Sequence, residues 1–453
     1  MSFLLIGNTW TNGLSLPFYS LVPFALALLL IATIPLFLSK LWESEKNKFL
    51  LMTFITLPTV FQLLLISEET KGGSILALKH GILDYFCFIS LIGSLYIVTS
   101  GIIIRFNGEF TPPQNVLFLG LGALLTNIVG TTGASILLFK PFSHANKNRS
   151  KKVHLVIFFI FTIGNIGGLL TPLGDPPLFL GFLNGIDFFW TISLWPQWLV
   201  SNIYLLICFY IVDSYFSKKE NICFSNIKKP YLNQFYFSGK QNILFLLLII
   251  IIVTLQSPTF GKLSGALFAK FSDFDDLTID VFYAACAQIF IAIFAFLVSP
   301  KTIRQENGFS FSPIVEVAIL FIAIFITMIP ALEFLRQKSL TIPLDHSWQY
   351  FWITGGMSSV LDNAPTFMAF ASLAAGADGI SNLPFTKPMI LSAICCGAVF
   401  MGANTYIGNG PNFLIKALAE KDKIVMPSFF MYTFYALLIL SPLYLFLTFC
   451  FFS

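Results

Sequence analysis

Charge is scarce in this chain. Asp, Glu, Lys and Arg make up 11% of its 453 residues, against about 25% in soluble domains, which excludes an ordinary soluble fold. The formal net charge of +4 is too small to point to nucleic acid. The seven cysteines show no CxxC spacing and no pairing framework. Cys87, Cys208, Cys286, Cys395, Cys396 and Cys450 stand in apolar runs, where cysteine behaves as a small hydrophobe. His80, His144, His154 and His346 fall at the edges of apolar runs or between them, without metal-ligand spacing, so no resident metal or cofactor is expected. The first apolar run has no basic stretch ahead of it and reads as an anchor that is not cleaved. What abounds is apolar: 56% of residues are hydrophobic and the mean hydropathy is +0.82. These values imply an all-α polytopic membrane protein.

Runs long enough to cross a bilayer, about 20 residues, fall near 17–39, 48–66, 81–105, 195–216, 241–257, 279–299, 313–335 and 427–451. Two composite regions lie between them. In the first, an apolar run reaches Thr126-Asn127, passes through Gly130 and Gly133, and returns to Lys140. Neither arm has 20 residues, so 114–140 reads as a re-entrant hairpin. A helix over 153–170 then meets TPLGDPPLF, Thr171 to Phe179. In the second, Tyr350–Leu361 leads to Asp362-Asn363-Ala364-Pro365 and back, a hairpin over 347–376. A helix over 388–404 then meets TYIGNGPNF, Thr405 to Phe413.

The two interruptions match: Thr171 with Thr405, Gly174 with Gly408, Asp175 with Asn409, and Pro177 with Pro411. Pro172, Pro176, Pro177, Pro365 and Pro411 break helices and remove donors. Gly130, Gly133, Gly174, Gly408 and Gly410 allow tight backbone. Opened backbone cannot face lipid and must line an interior cavity. Interrupted apolar segments in matching halves point to the substrate site of a transporter. The expected organisation is therefore N-terminal transmembrane helices over 1–80 and a first repeat over 81–216, with its hairpin at 114–140 and broken helix at 153–192. A cytoplasmic linker over 217–240 follows, then a second half over 241–451, with its hairpin at 347–376 and broken helix at 388–420.

Charge tests the inversion of these repeats. With the N-terminus outside and the hairpins entering from opposite sides, 19 of the 26 Lys and Arg fall inside. The positive-inside rule is satisfied, and only if the two halves have opposite orientation.

Asp175 in the first break and Asp362 at the second tip are acids deep in apolar sequence, where a carboxylate costs about 2.5–3.5 kcal/mol and is functional by default. Aligned at their tips, the hairpins pair Thr126 with Asp362 and Asn127 with Asn363. Each half then supplies one acid and one neutral oxygen-bearing side chain. If tips and breaks converge, Thr126, Asn127, Thr171, Asp175, Asp362, Asn363, Thr405 and Asn409 form one oxygen-rich pocket suited to Na⁺ or H⁺. Exchange of one ion for the other requires carboxylates that titrate near the working pH. Asn127 and Asn363 also suit a capping role. Asp84, Asp213, Glu316 and Glu333 lie toward span ends, where a solvated or interface role is expected.

The motifs TNIVGTTGA (126–134), GNIGGLLTPLGDPP (164–177), VLDNAPT (360–366) and GAVFMGANTYIGNGPNF (397–413) give the chain a resemblance to the ion transporter superfamily. It is most similar to the NhaD-like sodium/proton antiporter and citrate transporter-like branch. The resemblance covers most of 80–450 and implies a homodimer of scaffold and transport domains in the cell inner (plasma) membrane, working by an elevator motion. Carboxylate symporters of the superfamily carry Ser-Asn-Thr at both tips. Here the triplets are Thr126-Asn127-Ile128 and Asp362-Asn363-Ala364, and no Lys or Arg is near either tip. A tip aspartate repels an anion, so sodium/proton exchange is the first expectation. Sodium-coupled transport of a di- or tricarboxylate remains the alternative, since half-helix N-termini can hold a carboxylate. An intramembrane aspartyl protease would use a carboxylate dyad, but gives the neutral twin TYIGNGP no purpose; the chain reads as a carrier, not an enzyme.

Overall fold

In hydrocarbon a backbone must satisfy its own N–H and C=O groups, and an apolar run does so by coiling. The computed structural model describes residues 10, 11, 13–106, 108–220, 235–257 and 276–453, and these are mostly helical. In chain order the main helices are α1 (Val22–Phe37), α2 (Glu45–Leu65), α3 (Gly73–Ser100), α4 (Pro112–Ala145), α5 (Val153–Thr162), α6 (Pro176–Leu183), α7 (Trp195–Lys219), α8 (Lys240–Leu255), α9 (Asp276–Val298), α10 (Ser312–Gln337), α11 (Ser347–Ser358), α12 (Asn363–Ala375), α13 (Pro388–Met401), α14 (Gly410–Lys421) and α15 (Phe429–Leu447). Among the described residues nine stretches are long and apolar enough to cross a membrane. The chain is a multi-pass membrane protein.

All eight expected runs appear as helices. The largest shift is in α3, which starts at Gly73 because Gly72 sits at φ +82° and caps it. It ends at Ser100, since Ile103–Phe106 forms a strand instead. This strand, β1, pairs antiparallel with β2 (Phe235–Ser238), Ile103 opposite Ser238 and Phe106 opposite Phe235. The two-stranded ribbon was not expected, and it replaces the end of the proposed linker with structure. Residues 221–234 of that linker lie outside the described residues. So does 258–275, most of the connection between α8 and α9.

The run α4 turns back on itself. A straight helix of 34 residues would hold its ends about 50 Å apart. Here the Asn115 and Asn146 amides bond each other at 2.8 and 3.0 Å. Phe110 N–H donates to the Ala145 carbonyl at 3.1 Å, and the Phe118 and Phe142 rings stack at 5.4 Å. The reversal is at Gly130, whose φ of +78° is non-helical and costs little only without a Cβ. Thus α4 is a helical hairpin with both ends at one end of the fold. α11 and α12 form the second hairpin: Gly376, just past α12, lies against Ser339 in the connection that leads into α11. Both hairpins open on a reach-back glutamine, Gln114 Oε1 accepting from Thr111 N–H at 2.8 Å and Gln349 Oε1 from His346 N–H at 3.0 Å, which satisfies an otherwise free donor.

Two aromatic-rich helices face the hairpins. Phe88 of α3 stacks on Phe321 of α10 at 4.6 Å. Tyr85 Oη donates to the Ala318 carbonyl at 3.0 Å and Tyr96 Oη to Ser310 at 3.0 Å. Glu316 is paired with Lys48 at 2.7 Å and Glu333 with Arg336 at 2.7 Å. Lys48 is on α2, and Glu333 also accepts from the Thr11 hydroxyl of the N-terminal segment at 3.2 Å, so each acid has a partner on another element, which accords with an interface role.

Candidate functional site

Broken helices bring the site together. α5 ends at Thr162, continues as a 3₁₀ turn over Ile166–Leu170, opens over 171–175 and restarts as α6. Likewise α13 ends at Met401, turns through Gly402–Asn404, opens over 405–409 and restarts as α14. Each opening folds against its own helix so closely that a Cβ on Gly174 would sit 2.1 Å from the Gly168 carbonyl oxygen, and one on Gly408 2.6 Å from that of Gly402. No side chain fits there. Gly133 and Gly410, expected to serve tight backbone as well, have ordinary or open space at Cβ.

Asp175 is the residue on which the four interruptions meet. It is 1% exposed. Its Oδ1 accepts from the Thr131 hydroxyl at 2.9 Å and the Asn409 amide at 3.2 Å, and its Oδ2 from the Asn363 amide at 2.6 Å. Thr131 follows the first hairpin's reversal, Asn363 opens α12, Asn409 precedes α14, and Asp175 itself precedes α6. Four helix N-termini therefore point their partial positive charge toward one carboxylate. Among the described residues no Lys, Arg or His pairs with it. One further polar atom is left over: Asn363 Oδ1 is buried and has no hydrogen-bond partner.

An amide chain extends the contact between halves. Asn409 Nδ2 also reaches Asn165 Oδ1 at 3.1 Å, and Asn165 Nδ2 donates to Asn412 Oδ1 at 2.7 Å. Asn412 Nδ2 in turn donates to the carbonyls of Gly402 and Thr405, both at 2.8 Å.

The same contacts recur in the two halves. Thr171 Oγ1 donates to the Asn127 carbonyl at 2.5 Å, and Thr405 Oγ1 to the Ser359 carbonyl at 2.6 Å. Leu170 N–H donates to Asn127 Oδ1, and Asn404 Nδ2 to Ser359 Oγ. Thr131 and Asn363 bond the two oxygens of Asp175. This register pairs Asn127 with Ser359 and Thr131 with Asn363. It corrects the tip alignment read from sequence, which is displaced by four residues, one helical turn. Gly130, not Asn127, marks the first reversal. The matching position in the second hairpin is Asp362.

The expected residues divide accordingly. Asp175, Asn363 and Asn409 are in direct contact. Asp362 stands next to Asn363, half-buried, with Oδ1 accepting from Ala364 N–H at 3.0 Å as the cap of α12. Thr171, Thr405 and Asn127 pin the openings to the hairpins. Thr126 is one turn back, its hydroxyl donating to the Gly122 carbonyl at 2.9 Å, and does not reach Asp175. Pro176, Pro177 and Pro411 occupy the first turns of α6 and α14, where a missing N–H costs nothing; Pro172 lies in the first opening and Pro365 in the first turn of α12. Thr131 and Asn165 were not singled out. Both stand inside the motifs TNIVGTTGA and GNIGGLLTPLGDPP, which was the available signal.

Beside Asp175 is a cavity of about 50 Å³ between the first tip, the first opening and Leu91, Leu95 and Tyr96 of α3. That is room for a few waters or a small ion. No Lys or Arg lines it.

Asp213 decides between the two roles expected of it. It is fully buried, with Arg149 Nη2 2.8 Å and His154 Nε2 3.0 Å from Oδ1, and Asn115 Nδ2 donating to Oδ2 at 2.9 Å. Arg149 Nε also holds Glu220 at 2.6 Å. The span-end position suggested a solvated or interface role; the group is not solvated, because α5, α7 and the hairpin base close over it. The cluster ties those three elements at the end of the fold opposite the tips.

The family model CitMHS_2, described as "Putative citrate transport", matches residues 13–452. No curated protein matches the chain.

Proposed function

The chain belongs to the CitMHS_2 citrate-transport family and is thereby a secondary transporter of that type; from this premise we propose that it exchanges Na⁺ for H⁺ at Asp175. One observation carries the reading: a buried carboxylate with only neutral donors around it, beside Asn363 Oδ1, a buried acceptor with no donor. A buried acceptor left open costs about 1–3 kcal/mol. A Na⁺ ion taken between Asp175 and Asn363 Oδ1 removes that cost, with the Thr131 hydroxyl oxygen within reach as a further hard ligand. A proton competes for the same carboxylate: a protonated Asp175 donates to Asn363 Oδ1 once the amide turns over, which keeps one hydrogen bond between the two side chains. One carboxylate cannot hold both, so the ions compete. Asp362 supplies a second negative charge one residue from Asn363. Thr126, Asn127, Thr171, Thr405 and Asn409 hold the hairpins and openings around this centre.

The recurring contacts of hairpin and opening support reading the halves as inverted repeats, with the N-terminus outside and the linker over 217–240 in the cytoplasm of a plasma (inner) membrane. On this reading α3 and α10 belong to a static scaffold within a homodimer, and the hairpins and broken helices move against it as an elevator. The cavity at the α3 boundary would be the part of the site nearest that moving surface.

Transport of a citrate-like carboxylate is the second reading. The family description favours it, and so do the four converging helix N-termini, which suit an anion. Against it stand Asp175 and Asp362 themselves, the absence of Lys or Arg from the cavity lining, and a cavity too small for a tricarboxylate. Proteoliposomes with an internal pH dye separate the readings when Na⁺, Li⁺, K⁺ and citrate are added in turn. Alkalinisation of the lumen by Na⁺ alone supports exchange. A response to citrate only, with none to Na⁺, replaces exchange by the carboxylate reading.

A further inference from the structure

A second cavity, of about 700 Å³, opens far from Asp175 between α5, α7, α15 and the turn after α14. Its two ends differ in chemistry. Arg149, Lys151, Lys152 and Lys423 form one rim, and Ile157, Phe158, Val212, Phe216, Tyr435 and Ile439 form the wall below. Phe158 is six residues beyond Lys152, so the apolar wall runs roughly 9 Å along α5 below the charges. Exposed Ile211, Tyr215, Phe434 and Leu438 flank it and continue the apolar surface.

Three features of the rim point to an anion. Lys151 and Lys423 are exposed, and neither ammonium group has an acceptor among the described residues. Arg149 is 5% exposed, and its Nη1 is buried without a partner although Nε and Nη2 are engaged. Lys423 has φ +62°. It closes α14 with Ile424 N–H on the Ala419 carbonyl at 2.9 Å, a helix ending where glycine is the favoured residue. A lysine in that strained position projects a charge into the cavity at a cost in backbone energy.

We infer that this cavity binds an anionic glycerophospholipid, its phosphate on the Lys151–Lys423 rim and its upper acyl chains on the α5–α7–α15 wall. A charged rim directly over an apolar wall matches a lipid headgroup and chain in both sign and sequence. Basic pockets between transmembrane helices are known to take such headgroups. The site is independent of the transported ion.

The test uses the full chain, purified in detergent and delipidated, with lipid binding measured by native mass spectrometry. Phosphatidylglycerol is expected to bind at least about tenfold more tightly than phosphatidylcholine. Each surface lysine contributes about fivefold to such binding, so Lys151→Ala with Lys423→Gly is expected to weaken phosphatidylglycerol about 25-fold and leave phosphatidylcholine unchanged. Lys423→Gly relieves the positive φ, so the melting temperature should hold or rise, which separates lost binding from lost folding. Equal affinity of the wild type for the two lipids overturns the proposal. So does unchanged phosphatidylglycerol affinity in the double variant, or displacement of the lipid by an equal concentration of inorganic phosphate, which would make the ligand a free anion.

Discussion

Replacing Asp175 by Asn should separate transport from folding. Asp175 takes three side-chain hydrogen bonds, and Asn offers one oxygen and one NH₂ in the same shape. With the oxygen in place of Oδ1, Thr131 and Asn409 keep their acceptor. The new NH₂ then faces the Asn363 NH₂, and Asn363 resolves the clash by turning its amide. Its unpartnered Oδ1 becomes the acceptor, and no bond is lost. The stability change should therefore be within about 1 kcal/mol, the net worth of one hydrogen bond. Asp175→Leu has no such remedy. It leaves the Thr131 hydroxyl and the Asn363 amide buried without acceptors, about 1–3 kcal/mol each, or about 2–6 kcal/mol together. Asn409 keeps its bonds to Gly164 and Asn165. Both variants lose the titrating carboxylate, and in the proteoliposome dye assay both should lose sodium-driven alkalinisation. Thermal melts in detergent should rank wild type and Asp175→Asn together, with Asp175→Leu well below. If Asp175→Asn exchanges ions at more than half the wild-type rate, the role given to the carboxylate is wrong. If it melts as low as Asp175→Leu, the hydrogen-bond argument is wrong.

Gly174→Ala would drive a Cβ to 2.1 Å from the Gly168 carbonyl oxygen and should cost about 3 kcal/mol, at the upper end for overpacking. Gly410→Ala meets open space and should change stability by less than about 0.5 kcal/mol; equal melting temperatures for the two would refute the close-approach argument. Glu220, just outside its span, is pulled toward higher pKa by burial. Hydrogen bonds from Ser150, the Lys151 N–H and Arg149, with the Arg149 charge, outweigh this and hold it below its ordinary 4.5. A depressed folded pKa stabilises above the unfolded value and is lost as pH falls through the folded one. Glu220→Gln should therefore melt below wild type at pH 7, with the gap closing as pH falls below 4.5 and through the lower folded pKa; a gap that does not change with pH would mean the charge is not what matters.

Helices and interruptions were legible from the residue order, because apolar length and the Pro-Gly clusters act locally. Thr171–Phe179 and Thr405–Phe413 announced two openings, and both are there. The pairing across the hairpins was not legible. Asn127 and Asn363 look equivalent as letters, yet Asn127 stands one helical turn before the reversal at Gly130, and Thr131 is the residue that meets Asp175. A backbone reversal is set by one residue's φ, and the surrounding sequence TNIVGTTGA offers Gly130 and Gly133 equally. The choice between a solvated and an interface role for Asp213 was not legible for a related reason: a position near the end of a span says nothing about whether a neighbouring hairpin closes over it.

The amino-acid order by itself determined that this chain lies in a membrane, where its helices run and where they open, since each follows from hydrophobic length and from residues that cannot continue a helix. Only the tertiary structure decided which side chains share the Asp175 centre. Residues from 131 to 409 reach it through helix packing, and a contact between parts of a chain so far apart is fixed by how the elements stack, which no local pattern encodes.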